Sequence, residues 1–139
     1  MQHLLRQLGR LVSIAALCAS STVAIAQSDD QLRTKLVGEW KETRYVDCEE
    51  HRQRMLLRSN GTFEVAGFIG ACNALSSFVW RGTWKVVASK FIYTTTYSQP
   101  PELYAKGVSF EDQILKVDDE SWEMLEQSTG NKSIAFRLK

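Results

Sequence analysis

The sequence predicts an all-β fold, an eight-stranded antiparallel up-and-down β-barrel entered through a short N-terminal helical turn. Three observations predict it. After Gly38 the hydrophobic pattern takes a period of two, β-branched and aromatic residues recur in eight separate runs, and turn-forming residues punctuate those runs at regular intervals. No internal repeat, low-complexity tract or linker interrupts the pattern, and such spacing belongs to a closed barrel or a sandwich.

The chain has 139 residues, and its start reads as an address. Arg6 and Arg10 form a positive n-region, Leu11 to Ala19 an apolar stretch, and Ala24-Ile25-Ala26 a small-x-small cleavage site before Gln27. The expected division is therefore a signal peptide over 1–26 and one β-barrel domain over 27–139. A membrane anchor fits less well, because the apolar run is short, broken by serines and followed by Gln27-Ser28-Asp29-Asp30. A lipoprotein leader would want a small residue where Leu17 stands before Cys18. No later stretch is apolar enough to cross a bilayer, so the expected product is periplasmic or secreted, in a bacterial setting.

Charge narrows the function classes. Lys and Arg number 17 against 16 Asp and Glu, and losing Arg6 and Arg10 with the leader leaves the acids one ahead. So even a balance lacks the broad positive field of nucleic-acid binders or of proteins held on anionic membranes. Export also changes how the cysteines read. With Cys18 in the leader, Cys48 and Cys72 remain as an even pair in an oxidising compartment, which points to a structural disulfide. The alternatives are a redox pair or metal ligands. Neither Cys-x-x-Cys nor Cys-x-x-His is present, and His51 is the one histidine after the leader, so no metal site is expected.

Taken in order, Asp29 or Asp30 caps a helical turn in which Leu32 and Leu36 share a face. Strands follow at about 39–46, 54–58, 61–69, 78–87, 90–98, 107–117, 121–127 and 132–138. Ser59-Asn60-Gly61, Ala88-Ser89-Lys90 and Asp118-Asp119-Glu120 read as tight hairpin turns. The connections between them, Asp47 to Gln53, Gly70 to Ser77, Gln99 to Lys106 and Ser128 to Asn131, read as longer loops. In a meander the turns alternate between ends, so the tight turns close one end and the longer loops, with Cys48 and Cys72 among them, ring a mouth.

Gly38-Glu39-Trp40 on the first strand, with Arg137 near the end of the last, resembles the Gly-x-Trp and Arg signature of lipocalins and the wider calycin group. Ser59-Asn60-Gly61-Thr62-Phe63, Gly82-Thr83-Trp84-Lys85 and Ile134-Ala135-Phe136-Arg137 look like bacterial lipocalin-like domains. The resemblance covers essentially the whole mature chain. It implies that Trp40 plugs the closed end with Arg137 across its ring, a guanidinium–indole contact of roughly 0.5–2 kcal/mol. The chain is shorter than a typical lipocalin and lacks an obvious long C-terminal helix, so the resemblance speaks for the fold more than for a large cavity.

Alternation assigns the inner face. Phe78, Trp80, Gly82, Trp84 and Val86 share one side of their strand, and Phe91, Tyr93, Thr95 and Tyr97 form a similar set. Val108, Phe110, Asp112 and Ile114, Met55 with Leu57, and Phe63 with Val65 complete it. Small eight-stranded barrels either fill their interior with side chains or hold one small ligand, and so many aromatics favour the filled alternative. Strict alternation from Trp40 also sends Glu42 and Arg44 inward, which with Asp112, Tyr93 and Tyr97 makes either a structural network or a ligand-reading site. A β-bulge near the rim would instead turn Glu42 and Arg44 into a solvated pair.

Enzymatic chemistry finds little support. No Gly-x-Ser-x-Gly or phosphate-binding loop occurs, Glu49-Glu50-His51 reads as a polar loop facing water, and Glu42 with Asp112 is weak ground for glycoside hydrolysis. The expectation is a non-enzymatic exported protein without a cofactor. One class is a carrier that holds a small amphipathic or anionic ligand at the open end through Glu42, Arg44, Tyr93, Tyr97, Tyr104 and Asp112. The other is an inhibitor or adaptor of another exported protein, acting through the stiff Gln99-Pro100-Pro101-Glu102-Leu103-Tyr104 loop with exposed apolar tips or through the freed N-terminus.

Overall fold

The computed structural model of the protein describes residues 26–46, 49–71 and 76–139, with side chains throughout except at 44–46, 49–51 and 71. A helix, α1 (Asp29–Leu36), leads into β1 (Gly38–Val46), β2 (Glu49–Leu57), β3 (Thr62–Ala71), β4 (Ser76–Val87), β5 (Lys90–Gln99), β6 (Ser109–Val117), β7 (Ser121–Glu126) and β8 (Lys132–Arg137). Each strand pairs antiparallel with the next, and β8 returns to β1 through Trp40 opposite Arg137. Closure removes both sheet edges, so the backbone ladder is continuous around the barrel. The predicted barrel is the observed one, and β2 is the element most extended beyond its expected range. Glu49-Glu50-His51 is paired strand rather than polar loop, so most of the expected Asp47 to Gln53 loop belongs to β2.

The end with tight turns is sealed by α1. Ser28 caps the helix in a reciprocal pair with Gln31, and the Asp29 carboxylate accepts from the N–H groups of Ala88 and Ser89 at 2.8 and 2.9 Å. Arg33 reaches Ser59 O at 3.1 Å and lies over the Trp84 ring. Leu32 and Leu36 thereby sink into the barrel base, four apart on one face. Trp40 is fully buried there and donates its indole N–H to Leu36 O at 2.8 Å, while its ring meets Trp122 edge-on at 5.8 Å.

Arg137 completes the seal. Its guanidinium sits 4.2 Å from the centre of the Trp40 ring and donates to the carbonyls of Val37, Lys35 and Asp119, tying the helix end and the β6–β7 turn to β8. Gly38 makes room for it. Its φ is +140°, and a Cβ there would collide with Arg137 Nη1.

The inner face follows the predicted alternation along β4, where Phe78, Trp80, Gly82 and Trp84 are buried and Arg81, Thr83 and Lys85 are exposed. A Cβ at Gly82 would meet Thr94 O and the Phe63 ring, so the glycine lets a neighbouring strand and an aromatic ring close over it.

Candidate functional site

The two ends of the barrel differ in kind. Below, aromatic and aliphatic side chains fill the interior; towards the other end a cavity of about 190 Å³ remains, lined from all eight strands. Of the two expected alternatives the hollow one holds, because the aromatic side chains line a space rather than fill it. Phe63, Trp80, Tyr93 and Phe110 form a connected set of ring contacts with centroids 5.1 to 6.2 Å apart.

The loop after β5 closes over this set. Tyr104 stacks on Trp80 with centroids 3.8 Å apart and planes 15° from parallel, and Leu103 packs on the same core. Tyr104 therefore lines the cavity and is not the exposed tip expected from the Pro-Pro loop. The loop folds back because backbone bonds hold both of its ends, Leu103 N to Pro100 O and Gly107 N to Thr95 O.

Tyr97 departs from the expected site. It is exposed, stacks under the Arg81 guanidinium and donates to Gln99 Oε1 at 2.7 Å. The cause is a bulge between β4 and β5. Tyr97 pairs with Arg81 but Thr95 pairs with Gly82, so Thr96 is an extra residue and every side chain after it changes face. Val108 is also exposed, lying just before β6 begins. The bulge that sequence reasoning would have placed at Glu42 lies on β5 instead.

Glu42 points inward and is 6% exposed. It stands two residues along β1 from Trp40, and no bulge intervenes in its pairing with β2 or β8. Its Oε2 accepts from the Gln53 amide, whereas Oε1 is buried with no hydrogen-bond partner. Asp112, 5% exposed, accepts from the Tyr93 hydroxyl at 2.8 Å and is opposite Glu126 on β7, whose Oε2 accepts from Thr129 Oγ1. The Ser133 hydroxyl on β8 is buried in the lining without a hydrogen-bond partner. Glu42, Tyr93, Tyr104 and Asp112 thus meet in one cavity. The Arg44 side chain lies outside the described residues; its backbone pairs with His51. Cys48 and Cys72 also lie outside them, flanking Glu49 and Ala71, which are cross-strand partners.

Gln53, Glu126, Thr129 and Ser133 join the lining without having been singled out in the sequence. Alternation would have found Gln53 behind Met55, Glu126 behind Met124, and Ser133 ahead of Ala135. Among the described residues, no three His, Cys, Asp or Glu side chains gather closely enough to hold a metal ion.

Neither the protein-family models nor the curated proteins compared with the chain match it. Among solved structures, a lipocalin-like protein from Bacteroides uniformis superposes with a TM-score of 0.52 at 14% identity, over 75% of this chain and 99% of that one. The fold is lipocalin-like. Two weaker likenesses are an uncharacterized protein from Bacteroides eggerthii, with a TM-score of 0.45, 14% identity and 73% and 98% of the chains covered, and a de novo designed fluorescence-activating β-barrel, with 0.49, 19%, 81% and 100%. At 14% identity the Bacteroides uniformis protein shares the lipocalin-like barrel as a fold. The Gly38-x-Trp40 and Arg137 resemblance agrees with it, since these residues occupy the closed end as the resemblance implies.

Proposed function

We propose that the protein is an exported small-molecule carrier that holds its ligand in the cavity at the loop end of the barrel. The observation that supports this reading best is the cavity itself, about 190 Å³ walled by aromatic rings with a few convergent polar groups. Such a lining suits a small ligand with an apolar body and one polar head. A cavity of about 150 Å³ already admits benzene, so a single ring with a short arm is the size that fits. The sealed base supports the same reading, since α1, Trp40 and Arg137 close the end opposite the cavity. Export follows from the leader-like residues 1–26 and is part of the proposal.

An inhibitor or adaptor role through the Pro100-Pro101 loop would need Tyr104 outward, whereas it is stacked on Trp80. Native mass spectrometry of the protein purified from its own host under mild conditions tests the proposal. A retained small organic mass is expected. Protein free of any such mass and co-purifying with another protein would overturn it in favour of the adaptor.

A further inference from the structure

Resting on the carrier reading, we infer that the ligand is a cationic amine and that its ammonium group docks on Glu42. Glu42 is the carboxylate whose burial the protein leaves incompletely compensated. It is 6% exposed, one oxygen is taken by Gln53, and the other has no hydrogen-bond partner although it lies in the cavity wall. Asp112 and Glu126 are engaged within the protein.

Burial of a carboxylate oxygen without a partner is costly, and the strongest compensation is a charged donor. Ser133 sharpens the choice. Glu42 is opposite Ala135 on β8, so Ser133, two residues along and facing the same way, is its diagonal neighbour. Diagonal positions stand about 7–8 Å apart, near enough for one donor-rich group to bridge the two side chains. Ser133 Oγ also lacks a hydrogen-bond partner. An ammonium has donors for both oxygens and none of the acceptors that a carboxylate head would bring.

The rest of the wall agrees. Trp80, Tyr93 and Tyr104 line the same space, and aromatic faces attract an organic cation, the more so where water is excluded. The carboxylates do not gather into a metal site among the described residues, which favours a cation with a body of its own over a bare ion. This reverses the charge expected from Arg44 for the ligand head.

Three single-ring probes of similar size decide the matter: benzylammonium, benzyl alcohol and benzoate, titrated at neutral pH by calorimetry against wild type and Glu42→Gln. Benzylammonium is expected to bind wild type most tightly. Glu42→Gln is expected to weaken it about ten- to hundredfold while leaving benzyl alcohol within about threefold. Thermal unfolding supplies a second readout, with benzylammonium raising the wild-type midpoint and having little effect on the variant. Should Glu42→Gln fail to fold, Ser133→Ala replaces it, with benzylammonium again the probe selectively weakened. Benzoate binding best, or all three binding alike in both proteins, would overturn the amine inference and leave the carrier reading standing. Absence of binding by all three also overturns the inference, and the retained-mass experiment then decides separately whether the carrier reading falls.

Discussion

Tyr104 lies flat on Trp80, 3.8 Å between ring centres, so the long loop after β5 delivers an aromatic ring to the interior. The contact joins a segment without regular structure to the most buried face of β4. It makes the loop a wall of the cavity, and it places the mobility that loops usually carry next to the space a ligand would enter.

Tyr104→Ala should open that wall. All four tryptophans are at most 6% exposed, so acrylamide should quench wild-type fluorescence poorly. The variant should show stronger quenching from Trp80 and lose about 1 kcal/mol of stability, the worth of an aromatic pair. Unchanged quenching would mean that the stack does not shield Trp80 in solution.

The closed end should be less forgiving. Trp40→Ala removes a fully buried indole and should cost about 3–5 kcal/mol in denaturant unfolding. Arg137→Ala removes more than a ring cover, because its guanidinium also serves carbonyls of Lys35, Val37 and Asp119. It should cost about 2–3 kcal/mol, and Arg137→Lys should recover only part of that, since an ammonium cannot reproduce the planar fork. Near-zero effects for both alanine variants would deny the plug its structural role.

The closed end was the most legible part in the sequence. Gly38, Trp40 and Arg137 form a short motif whose parts need one another, and Asn60-Gly61 announces its own turn. The first half of β2 has no sequence signal because Glu49 to Arg54 carries no apolar period; it is strand because β1 and β3 offer backbone partners on both sides. The bulge at Thr96 was invisible, since Thr94-Thr95-Thr96 suits a strand in either register. Gln53, Glu126 and Ser133 are polar residues at inward positions, which alternation places but hydrophobic patterning does not mark.

The turn between β4 and β5 invites a stabilising change. Ala88 and Ser89 both have positive φ, 51° and 58°, as the central pair of a type I′ hairpin turn does. Neither residue favours that region, whereas Asn-Gly does. Ala88→Asn with Ser89→Gly keeps the two N–H groups that Asp29 accepts from and should add about 1 kcal/mol, read as a higher urea midpoint. A lower midpoint would indicate that these two side chains contribute more than the turn geometry costs them.

Asp118 should make part of the stability depend on pH. Lys116 beside it, and then the N–H groups of Glu120 and Ser121, hold its carboxyl well below the ordinary value of 3.8. Folding thus favours the ionised form. Its stabilisation is fully present above that ordinary value and is lost as the pH falls below it towards the folded-state pKa. Asp118→Ala should therefore unfold more readily than wild type at pH 7, with the gap narrowing steadily below about pH 4. A gap independent of pH would assign the effect to the shape of the turn rather than to the charge.

The remaining prediction concerns the exported product. If residues 1–26 are a leader, intact mass of the protein recovered outside the cytoplasm should correspond to a chain beginning at Gln27. If Cys48 and Cys72 are joined, that mass should be two hydrogens light and no thiol should react with an alkylating reagent until reductant is added. Glu49 and Ala71, the residues beside the two cysteines, are cross-strand partners at the loop end. Cα atoms of bridged cysteines stand about 4.4–6.8 Å apart, a spacing that neighbouring strands routinely supply. A loop of this length should contribute about 3 kcal/mol in the chain-entropy account, so the Cys48→Ser, Cys72→Ser double variant should unfold correspondingly earlier. Free thiols in the non-reduced exported protein would sink the disulfide, and a retained N-terminus would sink the leader, each independently of the other.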